Sequence, residues 1–93
     1  MFNVNDYFDG KVKSIAFDNS AGKFTIGVMA TGEYEFGTST LEIMTVVSGK
    51  LIIQLPESSE WKKYNPGDSF TIEKNKKFKV KIEEPSSYLC QYK

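Results

Sequence analysis

The feature that most constrains the fold is an alternation of apolar and polar residues with a period of two, which runs through nearly the whole chain. Between turn signals, β-branched and aromatic residues recur at every second position, and no window of a dozen residues carries a helical stripe. The clearest example is Lys77 to Glu83, where lysines alternate with Phe78, Val80 and Ile82. The pattern therefore predicts an all-β chain.

Turn-forming residues divide this pattern into eight or nine short strands spaced about ten residues apart, which is typical of a β-sandwich or barrel. We predict strands near residues 11–17, 24–28, 34–38, 41–46, 51–55, 61–64, 70–72, 77–83 and 87–92. Between two of them Gly49 is expected to make a tight turn, because glycine tolerates positive φ. The chain has 93 residues and no linker, so we predict one domain spanning residues 1–93.

The charge composition argues against two classes of partner. Twelve acidic residues balance twelve basic ones, so we expect no general binding to nucleic acid or to a membrane surface. Every basic residue is a lysine, so any bound anion must be held by ammonium groups, hydroxyls or backbone N–H rather than by a guanidinium fork. Lys77, Lys79 and Lys81 are predicted to face solvent, whereas Lys11 and Lys13 are equally compatible with a solvent role or a phosphate contact.

Cysteine content and chain length give further expectations. Cys90 is the single cysteine, so no disulfide can form within the chain, and a reducing cytoplasm fits best. Neither a secretion signal nor a membrane-spanning apolar run is present in the sequence. A chain this small buries only about 60–65% of its unfolded surface, so we expect a homodimer.

Glu42 is the first candidate for chemistry. Met44 and Val46 share its face of the predicted strand and are expected in the core, so the carboxyl group should lie near a barrel mouth and have a raised pKa. The alternative is a structural glutamate at the edge of the core, hydrogen-bonded by backbone N–H.

Two further groups admit both a functional and a structural interpretation. The hydroxyls of Thr38, Ser39 and Thr40 form a corner that could hold an oxyanion or be a plain turn. The aromatic residues could line a stacking slot for a planar ring or simply fill the core; they are Tyr34, Phe36, Phe78 and Tyr88.

Six residues separate Glu42 from Gly49, and Pro66-Gly67-Asp68 follows, which resembles the skeleton of a cupin metal site. Such a site normally places two or three histidines beside the glutamate, yet this chain contains none. We therefore expect no metal ligation by imidazole and no cofactor.

The chain as a whole resembles the small pyrimidine/purine nucleoside phosphorylases of the cupin superfamily. The matching stretches include 7–8, 10–15, 27–29, 32–34, Phe36, Thr38, Glu42, 44–46, 48–49, 55–56, Trp61, Tyr64, 87–90 and Tyr92. This resemblance implies an RmlC-like jelly roll, which is a double-stranded β-barrel. It also puts Phe36, Thr38 and Phe78 at the three histidine positions of other cupins.

The resemblance further implies metal-independent phosphorolysis of purine and pyrimidine nucleosides to the free base and α-D-ribose 1-phosphate. We assign Glu42 and Thr38 as catalytic residues, with Glu42 either contacting the ribose hydroxyls or protonating the base. Thr38 and Ser39 are assigned to phosphate or ribose, and Phe36, Phe78 and Tyr88 to ring packing. Relatives often carry arginine where this chain has Gln91, so a guanidinium contact to phosphate does not transfer. The alternative function is a non-catalytic cupin that binds a small molecule or dimerises.

Overall fold

The computed structural model describes residues 2–93, so Met1 of the predicted domain 1–93 lies outside the described residues. All of the regular structure is strand, which confirms the all-β prediction. The strands are β1 (Asn3–Tyr7), β2 (Val12–Asn19), β3 (Gly22–Met29), β4 (Gly32–Gly37), β5 (Glu42–Ser48), β6 (Leu51–Gln54), β7 (Trp61–Tyr64), β8 (Ser69–Ile72), β9 (Lys77–Ile82) and β10 (Ser86–Tyr92). The sequence analysis missed only β1. Within residues 2–93, no helix is long and apolar enough to cross a membrane.

The strands form two antiparallel sheets. The large sheet has the order β1-β2-β3-β10-β5-β8 and the small sheet has the order β4-β9-β6-β7. Their facing sides share one core, to which the large sheet contributes Met44 and Val46 and the small sheet contributes Tyr34, Leu51 and Val80. This arrangement is the predicted double-stranded β-barrel.

The outer face of the small sheet is charged, as the lysine pattern predicts. Phe78, Val80 and Ile82 point inward from β9 and are buried. Lys79 lies opposite Glu35 on β4, and opposite charges at such cross-strand positions favour pairing of the two strands. Period-two patterning therefore assigns both faces of β9 correctly.

The large sheet departs from simple alternation, because both of its faces carry apolar side chains near β3. Ile26 and Val28 are exposed on the outer face, whereas the inward positions hold Thr25, Gly27 and Met29. The concave face of this sheet therefore has a small and a polar residue beside Met29 on β3.

The turn after Glu42's strand has the predicted conformation. Gly49 has a φ of 80°, in the left-handed region that favours glycine. The buried Ser86 hydroxyl lies beside it, accepts a hydrogen bond from the Lys50 N–H and can donate to the Lys50 or Glu84 carbonyl. A side chain from the last strand therefore fixes the turn.

Candidate functional site

A cavity of about 400 Å³ opens between the two sheets at one end of the barrel. Its volume lies in the range of small-molecule sites. Residues from both sheets and from the turn after β1 line it: Tyr7, Phe8, Ser14, Met29, Glu35, Phe36, Gly37, Glu42, Met44, Phe78, Tyr88, Cys90 and Tyr92. Two sides of the cavity differ in chemistry.

One side is a polar wall on the concave face of the large sheet, formed by Ser14, Glu42, Tyr88, Cys90 and Tyr92. Tyr88, Cys90 and Tyr92 lie on β10 and Glu42 lies on the neighbouring strand β5, whereas β3 separates Ser14 on β2 from β10. Tyr92 lies directly opposite Glu42, and the Cys90 thiol donates a hydrogen bond to the Glu42 Oε1 atom over 3.5 Å. The strand pairing therefore brings a carboxyl group, a thiol and two phenols together.

Burial governs the protonation of the polar wall. Desolvation raises the pKa of Glu42, and the hydrogen bond from Cys90 partly opposes this rise. Among the described residues, the Cys90 thiol is the hydrogen-bond donor to Glu42, rather than the backbone N–H of the structural alternative. A half-buried carboxyl of raised pKa is suited to carry a proton into the cavity.

The other groups of the polar wall remain protonated at neutral pH. Burial raises the pKa of Tyr88 to about 12. Desolvation, with a smaller contribution from the Glu42 charge, raises the pKa of Cys90 to about 12. Burial also raises the pKa of Tyr92, whose hydroxyl lies 3.0 Å from Thr25 Oγ1. These groups therefore act as hydrogen-bond donors, not as anionic nucleophiles.

Gly27 makes room for Tyr88. A Cβ atom at position 27 would lie 2.5 Å from the Tyr88 ring, so the ring packs directly on the glycine of the neighbouring strand. The absence of a side chain at this inward position allows Tyr88 to lie flat along the sheet and to leave the cavity open.

The other side of the cavity is an aromatic wall of Phe8, Phe36 and Phe78. The Phe36 and Phe78 rings are 5.7 Å apart, and the Phe8 ring meets Phe36 edge-on at 5.6 Å. These spacings are typical of favourable aromatic pairs. The aromatic wall offers ring faces and edges without a hydrogen-bonding group.

Phe8 is a cavity residue that the sequence analysis missed, and its backbone is unusual. Phe8 and Asp9 have φ angles of 54° and 57°, which are uncommon for residues other than glycine. The Gly10 and Lys11 N–H groups hold the turn by donating to the carbonyls of Tyr7 and Phe8. The Asp9-Gly10 pair signals a turn in the sequence, but nothing there indicates that it brings a phenylalanine onto the cavity.

The structure brings four of the six predicted site residues to the cavity, namely Glu42, Phe36, Phe78 and Tyr88. It does not bring Thr38 or Ser39 there. The buried Thr38 hydroxyl donates to the Glu73 carbonyl over 2.6 Å and accepts from the Lys76 N–H over 3.1 Å. Ser39 is exposed. The Thr38 hydroxyl thus connects the β4–β5 corner to the β8–β9 turn, and the substrate contacts assigned to Thr38 and Ser39 stay predictions.

Comparison with known proteins decides the family. A family model described as pyrimidine/purine nucleoside phosphorylase matches residues 2–92. The chain belongs to this family. A protein of Pseudomonas aeruginosa named pyrimidine/purine nucleoside phosphorylase is 60% identical over 93 residues, which is all of both chains. One from Psychrobacter cryohalolentis, named pyrimidine/purine nucleoside phosphorylase 2, is 58% identical over 99% of this chain and 98% of its own.

Solved structures agree with the fold. A Vibrio parahaemolyticus protein described as of unknown function superposes with a TM-score of 0.96 at 39% identity, over 100% of this chain and 99% of its own. An RmlC-like cupin of Shewanella frigidimarina superposes with a TM-score of 0.77 at 15% identity, over 98% and 82% of the two chains. The predicted RmlC-like cupin fold is thereby confirmed.

The side chains that line the cavity of this nucleoside phosphorylase family member do not form a set of ligands that fits a divalent metal. Of the three residues that the resemblance puts at cupin histidine positions, Phe36 and Phe78 line the cavity with rings that have no donor atom, and Thr38 has its hydroxyl engaged with backbone groups. In the part of the chain that the structure describes, no three Cys, Asp or Glu side chains cluster in a way that could hold a metal ion. Glu42 and the protonated Cys90 offer too few ligands for the usual coordination.

The side chain of Gln91 points away from the cavity. Gln91 Nε2 donates over 3.0 Å to the Ala21 carbonyl in the β2–β3 hairpin. Its neighbours Cys90 and Tyr92 point inward to the polar wall. Gln91 therefore contributes no side chain to the lining of this cavity.

Proposed function

We propose that this protein is a metal-independent nucleoside phosphorylase of broad specificity. It would convert purine and pyrimidine nucleosides and orthophosphate to the free base and α-D-ribose 1-phosphate. The observation that carries the proposal is the cavity in which an aromatic wall faces a polar wall containing Glu42. Relatives up to 60% identical bear the corresponding name.

In this mechanism the base packs against the aromatic wall, and the ribose lies toward the polar wall. A phosphate oxygen forms a bond to C1′ while the C1′–N bond breaks, and the bonding electrons leave with the base. The transition state resembles an oxocarbenium ion beside a partly anionic base, so a proton donor to the base lowers the barrier. The protonated Glu42 carboxyl supplies this proton, and its raised pKa keeps a larger protonated fraction at a given pH.

The Tyr88 hydroxyl is the donor and acceptor on the polar wall that we assign to the ribose hydroxyls. Broad tolerance for the base follows from the aromatic wall, because ring packing does not distinguish hydrogen-bonding patterns on the base. Phe8 extends the surface that Phe36 and Phe78 provide.

The test is phosphate-dependent release of hypoxanthine from inosine by the purified protein. We expect turnover that requires orthophosphate and yields ribose 1-phosphate, and we expect turnover of adenosine, guanosine, uridine, cytidine, thymidine and xanthosine as well. Release of base without phosphate would indicate a hydrolase. No release from any nucleoside would refute the proposed function.

The alternative is a non-catalytic cupin that binds a small planar molecule, and calorimetry distinguishes it from the enzyme. A binding protein takes up nucleoside at a defined stoichiometry and returns it unchanged when phosphate is present. The enzyme gives a continuing heat signal that requires both substrates. Chromatography of the solution in the calorimeter after the experiment should detect free base only if the protein is an enzyme.

We also propose that the protein is a homodimer in the cytoplasm, where it would act in nucleoside salvage. The outer face of the large sheet carries a row of apolar side chains in register across four strands: Val4, Ile15, Ile26 and Leu89. Ile15, Ile26 and Val28 are exposed there, and an apolar surface of this kind on a small chain is typical of an interface.

Sedimentation of the Ile26→Lys variant tests the dimer. A charge in the centre of the apolar row should convert a dimer to monomers, whereas Ser59→Lys adds the same charge to an exposed loop and should not. A monomeric unmodified protein, or a dimer that tolerates Ile26→Lys, would contradict the proposed interface.

A further inference from the structure

Among residues 2–93, none that lines the cavity of the candidate site is a lysine. Orthophosphate carries one to two negative charges at neutral pH, and an anion in a partly buried site needs charge compensation or several hydrogen-bond donors. A cation within reach of the polar wall would supply this charge compensation, and the lysines can be compared for that role.

Most lysines near the site are engaged elsewhere or point away. Lys13 Nζ lies 3.4 Å from Asp6 Oδ2 in an ion pair on the outside of the barrel. Lys76 pairs with Glu57, and Lys79 projects from the outer face of the small sheet. Lys13 is thus held by a carboxylate, which weakens the phosphate interpretation that the sequence left open for it.

Lys23 lies in a second cavity, of about 560 Å³, which adjoins the first. The two cavities share Tyr92 as a lining residue. Thr25 and Asn5 also line the second cavity. Among residues 2–93, Lys23 forms no ion pair, so its ammonium group is available to a ligand.

Strand register puts Lys23 in line with Glu42. Tyr92 lies opposite Glu42 on β5 and opposite Lys23 on β3, so the three residues form one row across the concave face of the large sheet. Neighbouring strands are about 4.8 Å apart, so the backbones of Lys23 and Glu42 are about 10 Å apart. A phosphate over Tyr92 would thus lie between the ammonium group and a ribose held at Glu42.

Hydroxyl groups are in place between the two ends of the row. Tyr92 OH and Thr25 Oγ1 are 3.0 Å apart, and one of them donates to the other. The proton of the accepting hydroxyl remains available to an anion. Asp18 also lines the second cavity; it lies opposite Lys23 on β2, so β3 separates its backbone from Tyr92 on β10.

We propose that Lys23, Thr25 and Tyr92 form the orthophosphate site, with the Lys23 ammonium group as its cation. This inference rests on the proposed function and completes it, because it places the nucleophile next to the ribose rather than within the aromatic part of the cavity. The phosphate enters through the second cavity, and the nucleoside occupies the first.

Steady-state kinetics of Lys23→Met with inosine and orthophosphate tests the site. We expect kcat/KM for phosphate to fall roughly ten- to a hundredfold, the range for loss of one hydrogen bond to a charged group. The KM for inosine should change less than about twofold, because the nucleoside contacts are untouched. Lys23 is exposed, so its substitution leaves the core intact.

Two matched variants complete the experiment. Lys23→Arg keeps the positive charge and should recover most of the phosphate dependence, whereas Lys63→Met removes an equal charge from the other sheet and should have no effect. Unchanged phosphate kinetics in Lys23→Met would overturn this site and leave the proposed function standing. Absence of phosphorolysis in the unmodified protein would overturn the proposed function, and this inference with it.

Discussion

Replacement of Gly49 by alanine should destabilise the protein through two separate effects. The left-handed backbone, with φ of 80°, costs an L residue about 1–2 kcal/mol. The new Cβ would also lie 2.2 Å from Ser86 Oγ, 2.8 Å from its Cβ and 3.0 Å from its Cα. Ser86 cannot turn away without breaking its hydrogen bonds to backbone groups, which costs about 1–3 kcal/mol. We expect a total loss of about 2–5 kcal/mol.

Gly67 supplies a matched control. Its φ of 92° is close to that of Gly49, but a Cβ atom there would meet nothing within 4 Å. Gly67→Ala should therefore lose only the backbone contribution of about 1–2 kcal/mol. Urea unfolding measures both free energies, with unchanged m values as the test of two-state behaviour. Equal losses for the two variants would refute the role assigned to Ser86.

Three further predictions concern individual side chains. Burial raises the pKa of Glu42 in the folded protein above its ordinary value of 4.5, so at intermediate pH the carboxyl loses its proton more readily in the unfolded chain. The free energy of unfolding should therefore fall as the pH rises from 4.5 to the raised pKa. Thermal unfolding of Glu42→Gln at a series of pH values should not show this fall. Phe8→Ala should raise KM for inosine about tenfold, because the base loses one stacking contact. Asp9→Gly relieves the left-handed backbone of the same turn, so it should leave KM unchanged and stabilise the protein by up to about 1 kcal/mol. Thr38→Val should lower the free energy of unfolding by about 1–3 kcal/mol, because the Glu73 carbonyl and the Lys76 N–H lose their hydrogen-bond partner. A roughly hundredfold loss of kcat at unchanged stability would instead support the catalytic role predicted from the sequence.

Much of the fold can be predicted from the sequence because alternation reports which face of a strand is buried. The lysine alternation of β9 and the glycine turn at Gly49 are both found in the structure. Strand β1 was missed because Asn3–Tyr7 carries polar residues at most positions and is largely exposed. A strand of this kind is held by pairing with β2 rather than by burial.

The candidate site was only partly predictable, because it depends on how strands that are distant in the chain pair with one another. Glu42 stands out as a carboxyl group among inward-facing apolar residues, and the cavity does contain it. Cys90 and Tyr92 join it because β10 pairs with β5 in one particular register. Neither that pairing, between strands distant in the chain, nor the left-handed turn that places Phe8 can be read from local patterns.

The most direct test of the central claim is the rate of phosphorolysis by Glu42→Gln. Glutamine keeps the size of the side chain but has no carboxyl proton, so we expect kcat to fall by about 10²-fold or more, the usual contribution of a general acid. Glu60→Gln, which changes an exposed loop carboxyl, should retain full activity. If Glu42→Gln also retains full activity with inosine and phosphate, the half-buried carboxyl is not the proton donor and the account of the site is wrong.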